Sequence, residues 1–121
     1  EVPFNTVTVD HSIDQIRTRS LQLMQRPNPP DGIVSGAGGA TFALVAGIED
    51  AGLKVGRDVD IVSKQSARLL HLFRPELYVV NENVRLAGRE LARSLVALIG
   101  GAPAASRQSL AMPGPVLALG E

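Results

Sequence analysis

Between Pro30 and Gly101 the chain alternates short apolar runs, glycine-rich turns and helical stretches, and that alternation limits the folds open to it. Strands joined through helices pair in parallel, because a crossover holding a helix brings the chain back to the same end of the sheet. In open sheets of this kind small molecules bind at the carboxyl ends of the strands. The expected fold class is therefore α/β, a parallel sheet flanked by helices.

The local pattern fills in the elements. Ile13, Ile16, Ser20, Leu23 and Met24 share one face of a helix predicted over His11 to Gln25, with Asp10 or Ser12 as its cap. The prolines of Arg26 to Gly32 cannot continue it. Ile33–Val34–Ser35 reads as a first strand and Gly36 to Gly39 as the turn after it. A helix follows over Ala40 to Ala51, with Phe42, Val45 and Ile48 inward and Gly52 as its stop. Val59 to Ser63 is a second strand. Both strands are unbroken apolar runs, so both are expected to be covered on two faces. Ser66 to Phe73 suggests a loose helical turn, and Leu77 to Val80 a third strand. Asn83 is placed to cap a helix to Ile99, with Leu91, Leu95, Leu98 and Ile99 on one face and Arg85, Arg89 and Arg93 on the other. Further short strands are expected at Thr6 to Val9, Gln108 to Met112 and Val116 to Leu119.

Composition removes several functions. Apolar residues make up 45% of the 121, enough for one domain with a real core. Twelve basic and twelve acidic residues cancel, so this piece lacks the cationic excess that grips nucleic acid. Cysteine is absent, which excludes disulfides and thiolate metal sites. No apolar run approaches the ~18 residues of a membrane span, and the first residues do not resemble a secretory signal. A cytoplasmic location with no membrane partner is expected. The missing initial Met suggests a mature product or a fragment of a longer chain.

Few residues invite chemistry. G-A-G-G-A-T after Val34 resembles an anion-binding turn at a helix start, but it lacks the third glycine of the dinucleotide fingerprint and the P-loop lysine. A tight strand-to-helix turn is its simpler reading, contact with a small ligand the other. His11 and His71 have no partner at metal-ligand spacing. Asp58 and Asp60 read as solvated loop residues, and the arginine stripe as a solvated helix face. No catalytic set emerges, so no enzyme, cofactor or metal is expected.

The strings P-D-G-I-V-S-G from Pro30 and A-L-V-A-G-I-E-D-A-G-L-K-V-G-R-D-V-D-I-V-S from Ala43 resemble the lactose-repressor (LacI) family of bacterial transcription regulators. Arg74 to Gly101 continues the likeness in register, including the glycine at Gly88, and S-L-A-M-P-G-P-V-L resembles the family's final strand segment. The resemblance implies part of a periplasmic-binding-protein-like, type I, two-lobe effector domain. Residues 1–80 would be mostly carboxyl lobe, 81–101 the crossover helix of the amino lobe, and 102–121 the terminal strands. The helix-turn-helix headpiece would be absent, and operator DNA would be held only through it.

What the family implies for ligands meets a departure. Where the family carries Asn-Asp or a similar pair, this chain has Ala37 and Gly38; where it carries a glycine, an aromatic and an Asp, it has Ser63, Lys64 and Gln65. Ala37, Gly38, Lys64 and Gln65 are the expected effector contacts. Either the effector, a sugar or other metabolite, is anionic or otherwise unusual, or the pocket has decayed. A homodimer is implied, with Phe42, Leu69, Leu72 and Phe73 facing the partner or filling the chain's own core. The competing classes are a sugar-binding receptor of a transport system and, on G-A-G-G alone, a nucleotide-using enzyme. All readings of the site require Gly38 and Gln65 to lie together at the trailing ends of parallel strands.

Overall fold

Ser12 opens the first helix in the computed structural model, which describes residues 12–108 and 114–118. The Ser12 hydroxyl accepts from the Gln15 N–H and the Gln15 side chain accepts from the Ser12 N–H, a reciprocal capping box. Helix α1 then runs Ile13–Met24. Strand β1 (Gly32–Ser35) leads into α2 (Gly38–Asp50), and β2 (Asp60–Gln65) into the single turn α3 (Leu70–Phe73). Strand β3 (Tyr78–Asn81) is followed by α4 (Val84–Ile99), a 3-10 turn at Ala104–Arg107 and β4 (Val116–Ala118). The strand predicted at Thr6 to Val9, that at Gln108 to Met112 beyond its first residue, and His11 lie outside the described residues, while the one predicted at Val116 to Leu119 is β4.

The sheet order is β1-β2-β3-β4. The first three strands are parallel, and β4 joins the edge of β3 antiparallel, with Val80 opposite Val116. G-I-V-S of β1 and D-I-V-S of β2 pair residue for residue, Ile33 with Ile61 and Ser35 with Ser63. The core gathers Leu44, Val45 and Ile48 of α2, Ile61, Val79, Leu70 and Leu77, with Met24 of α1 behind them. Gly52 takes φ of +79°, the conformation a helix stop requires of glycine.

Several expectations shift. Helix α2 begins inside the G-A-G-G segment, at Gly38 instead of Ala40. β2 and β3 start and finish one or two residues later than the apolar runs suggest, because Lys64, Gln65 and Asn81 extend the ladder. Helical structure before Arg74 is confined to Leu70–Phe73. The larger correction concerns burial. β1 and β2 are covered on one face only: Ile33 and Ile61 meet the core while Val34, on the other face, is 82% exposed. Phe42, expected inward, lies on the outer side of α2 and packs on Phe73 with ring centroids 4.7 Å apart. α4 buries no residue at all; Leu91 is 71% exposed and Leu95, Leu98 and Ile99 are exposed beside it.

An ion pair fastens α1 to α2. Arg17 donates to both oxygens of Asp50, at 2.6 and 2.8 Å, at the end of α2 where a carboxylate meets unfavourable carbonyl dipoles. The hydrogen bond from Arg17 holds the Asp50 carboxyl below its ordinary value. Asp58 is lowered likewise, by Arg57 and then by the Lys54 N–H that it caps. A carboxyl depressed on folding adds stability above its unfolded pKa, 3.8 here, and that increment disappears as pH falls through the folded value. Urea melts between pH 7 and 3 are expected to show stability dropping below about pH 4, and Asp50→Asn to flatten part of the drop. Indistinguishable acid limbs would mean the pair contributes nothing to folding.

Candidate functional site

The trailing ends of β1, β2 and β3 lie side by side, so residues distant in sequence meet on one ledge. A Cβ on Gly38 would sit 2.9 Å from the Lys64 carbonyl oxygen and 3.8 Å from the Gln65 Cα. Gly38 and Gln65 are therefore neighbours, as the parallel reading requires. The absence of a side chain at Gly38 lets the first turn of α2 press against the end of β2. That turn presents the N–H groups of Gly38, Gly39 and Ala40, which have no intrahelical acceptor, and Ala37 contributes no side-chain cap.

Under the ledge lies a chain of hydroxyls. Thr41, fully buried, places Oγ1 2.7 Å from Ser63 Oγ, 2.9 Å from Ser35 Oγ and 3.2 Å from the Ala37 carbonyl. Ser35 Oγ in turn reaches the Ala37 carbonyl at 3.2 Å. Each hydroxyl has one proton, and all three are used if Ser63 donates to Thr41, Thr41 to Ser35 and Ser35 to Ala37. The network ties β2, α2, β1 and the turn together. It was not anticipated from sequence, although the signal was there: I-V-S occurs twice, each time with a serine ending an apolar run.

Lys64 is exposed at the end of β2, and its Nζ lies 3.1 Å from Glu82 Oε1. Glu82 follows β3 and brings to this ledge a carboxylate that sequence reasoning missed, because its neighbour is eighteen residues away. Gln65 is turned inward: its Nε2 donates to Asn81 Oδ1 at 2.9 Å and its Oε1 accepts from the Leu70 N–H at 3.1 Å. Of the four expected effector contacts, Ala37, Gly38 and Lys64 border the ledge, while the Gln65 amide is engaged within the protein.

The residues named for association lie on α2 and in and beside α3. Phe42 and Phe73 pack together, and Leu69 and Leu72 are exposed, Leu72 at 76%. Arg74 stacks 4.5 Å above the Phe73 ring and binds Glu49 at 2.8 and 3.0 Å, so one cation fixes α3 to α2. Asp58 does more than meet solvent, since it closes the loop on Lys54 and Arg57. Arg93 pairs with Glu90 on α4. Among the described residues no three histidines or carboxylates gather as a metal site, and no helix is long and apolar enough to cross a membrane.

The family model for the periplasmic binding protein-like domain matches residues 3–118. Among solved structures, a protein assigned as the transcriptional regulator LacI from Bacillus cereus subsp. cytotoxis NVH 391-98 is 27% identical, with a TM-score of 0.66 over 74% of this chain and 32% of its own. One assigned as a ribose operon repressor from Burkholderia thailandensis is 25% identical, with a TM-score of 0.63 over 72% of this chain and 33% of its own. A LacI family transcriptional regulator from Arthrobacter sp. FB24, in complex with lactose, shares the fold at 18% identity, with a TM-score of 0.72 over 89% of this chain and 41% of its own. The chain thus spans a third to two-fifths of these structures. No curated protein matches it in sequence.

Proposed function

The chain belongs to the periplasmic binding protein-like domain family, and from that membership we propose that it is the effector-binding and dimerisation part of a LacI-type transcription regulator. The observation that carries this is the likeness, at 25–27% identity, to two solved proteins assigned as regulators. A transport receptor of the same fold is the alternative, and the named neighbours favour the regulator.

In this reading residues 1–80 are mostly the carboxyl lobe and 81–101 carry the crossover helix of the amino lobe. The open apolar side of α4, with Val84, Leu91, Leu95 and Leu98 exposed, supports a partner outside these residues. Residues 102–121 are the terminal segment, in which Val116–Ala118 adds a strand to β3. Operator DNA is bound by a helix-turn-helix outside this chain, consistent with zero net charge here. The protein is a cytoplasmic binding protein, not an enzyme. Phe42, Leu69, Leu72 and Phe73 form the subunit surface of a homodimer. The test is fluorescence anisotropy of the intact gene product on its own upstream DNA. Binding modulated by a small metabolite is expected; absence of DNA binding would remove the regulator reading.

The effector we propose is an anionic metabolite lying over the α2 N-terminus and Lys64. The helix start favours negative charge, and an ammonium to carboxylate hydrogen bond adds about 1.5–3 kcal/mol. Glu82 opposes it by holding Lys64. In calorimetry with gluconate as probe, Lys64→Ala is expected to weaken binding about tenfold or more and Glu82→Gln to strengthen it, while lactose responds less to either. Unchanged gluconate affinity in Lys64→Ala would exclude Lys64 as a contact.

A further inference from the structure

Gln65 ends β2 beside Gly38 and Lys64, where a ligand-facing side chain is expected, yet it is 4% exposed. Three hydrogen bonds leave it in different directions. Its Oε1 accepts from the Leu70 N–H at the first residue of α3. Its Nε2 donates to Asn81 Oδ1, at the last residue of β3. Its backbone carbonyl accepts from the Glu82 N–H at 2.8 Å, where the chain leaves the sheet for α4. We infer that Gln65 is a positioning residue: it ties the ledge end of β2 to α3 and to the connector into α4, and makes no contact with the effector itself.

The chemistry requires the side chain to be oriented in this way. Leu70 is 1% exposed, so its N–H needs an acceptor inside the protein, and Leu69 supplies no side-chain cap. Only the oxygen end of the amide can accept, so the nitrogen end is directed to Asn81. A helix of four residues cannot hold itself by its own ladder. It is fixed from below by Leu70, from one side by Arg74 with Glu49, and at its start by Gln65. Displacing the Lys64–Gln65 segment therefore moves α3, which carries Leu72 and follows Leu69 of the proposed subunit surface. In the same motion it pulls on Glu82, the partner of Lys64. The inference rests on the proposed function for its meaning as a link between ledge and subunit surface, but its hydrogen-bond content stands without it.

Amide hydrogen exchange on the full 121-residue chain tests it. Gln65→Met keeps the length and removes both side-chain bonds; Gln65→Glu keeps the acceptor for Leu70. In Gln65→Met the Leu70 amide is expected to exchange about tenfold faster while Val45 and Ile48 in α2 keep their protection. In Gln65→Glu Leu70 is expected to regain most of its protection, a rescue that mere core filling would not give. Unchanged Leu70 exchange in Gln65→Met, or equal loosening of α2, overturns the proposal. Should Gln65→Met not fold, Asn81→Ala replaces it. It deletes only the Nε2 partner, so loosening is expected at Glu82 with Leu70 still protected, and uniform loosening would again overturn the inference. Sedimentation of the same variants separates the two readings. A wild-type chain that remains monomeric at all concentrations removes the subunit surface, whereas the exchange result alone decides the role of Gln65.

Discussion

Replacing Gly47 with alanine is expected to destabilise the chain by about 1–3 kcal/mol, against the usual ranking of the two residues in helices. Gly47 lies in the middle of α2, where α1 crosses. A Cβ there would run into the Arg17 carbonyl, sit 2.6 Å from the Ser20 Cβ and 3.0 Å from the Leu21 nitrogen. Two of these neighbours are backbone atoms of a helix that cannot give way locally. Relief requires α1 to move off α2, which strains the Arg17–Asp50 pair and opens contacts around Ile48. The comparison that makes the claim sharp is Gly88→Ala in α4. A Cβ on Gly88 meets nothing within 4 Å, so alanine there is expected to stabilise by about 0.5–1 kcal/mol through helix propensity alone. Urea denaturation of the two variants should give opposite signs. If both stabilise, α1 does not press on α2 as described.

Which parts of this structure were legible follows from the range of the interactions that make them. Asn83 as a cap and Gly52 as a stop depend on neighbours within four residues and were read from the sequence, and of the two caps offered for the first helix, Asp10 and Ser12, the structure uses Ser12. The parallel pairing of β1, β2 and β3 followed from the helices between them, a property of connection length. Burial was misread where it depends on what else is present. The runs holding Val34 and Val62 look like strands buried on two faces in one dimension, but the helical layer covers only the opposite face, that of Ile33 and Ile61. The same holds for α4, whose apolar stripe predicts a covering partner without saying which. At the ledge, Gly38 and Lys64 were singled out only because the family resemblance places its ligand positions there, and the structure brings the two together. Glu82 and Asn81 were not singled out, since their partners are reached only through the register of β2 against β3. Gln65 shows the limit most plainly: its position at the ledge was right and its direction was inward.

Thr41→Val should cost about 1–3 kcal/mol even though valine fills the same volume, because it removes the acceptor that Ser63 uses in a site closed to water. Ser63 is 1% exposed, and its remaining partner is the Lys64 carbonyl at 3.3 Å, a long bond. Ser63→Ala is the milder change, about 0.5–1.5 kcal/mol, since Thr41 keeps both Ser35 and the Ala37 carbonyl as acceptors. The two substitutions are therefore not equivalent ways of deleting one 2.7 Å contact. In the double variant the stranded hydroxyl is gone, so its loss should fall below the sum of the single losses by about 1 kcal/mol, in either urea or thermal melts. Additive losses would show that Ser63 and Thr41 are not partners in solution. The functional consequence follows from where the network ends. It fixes the Ala37 carbonyl, and with it the first turn of α2, at the height where Gly38 meets Lys64. In the proposed reading the ledge offers an anion the α2 backbone amides beside Lys64, and these amides, unlike the lysine, have no side-chain rotamers with which to adapt, so their placement depends on the hydroxyls buried beneath them. Thr41→Val is accordingly expected to weaken gluconate binding without touching any atom that contacts the probe.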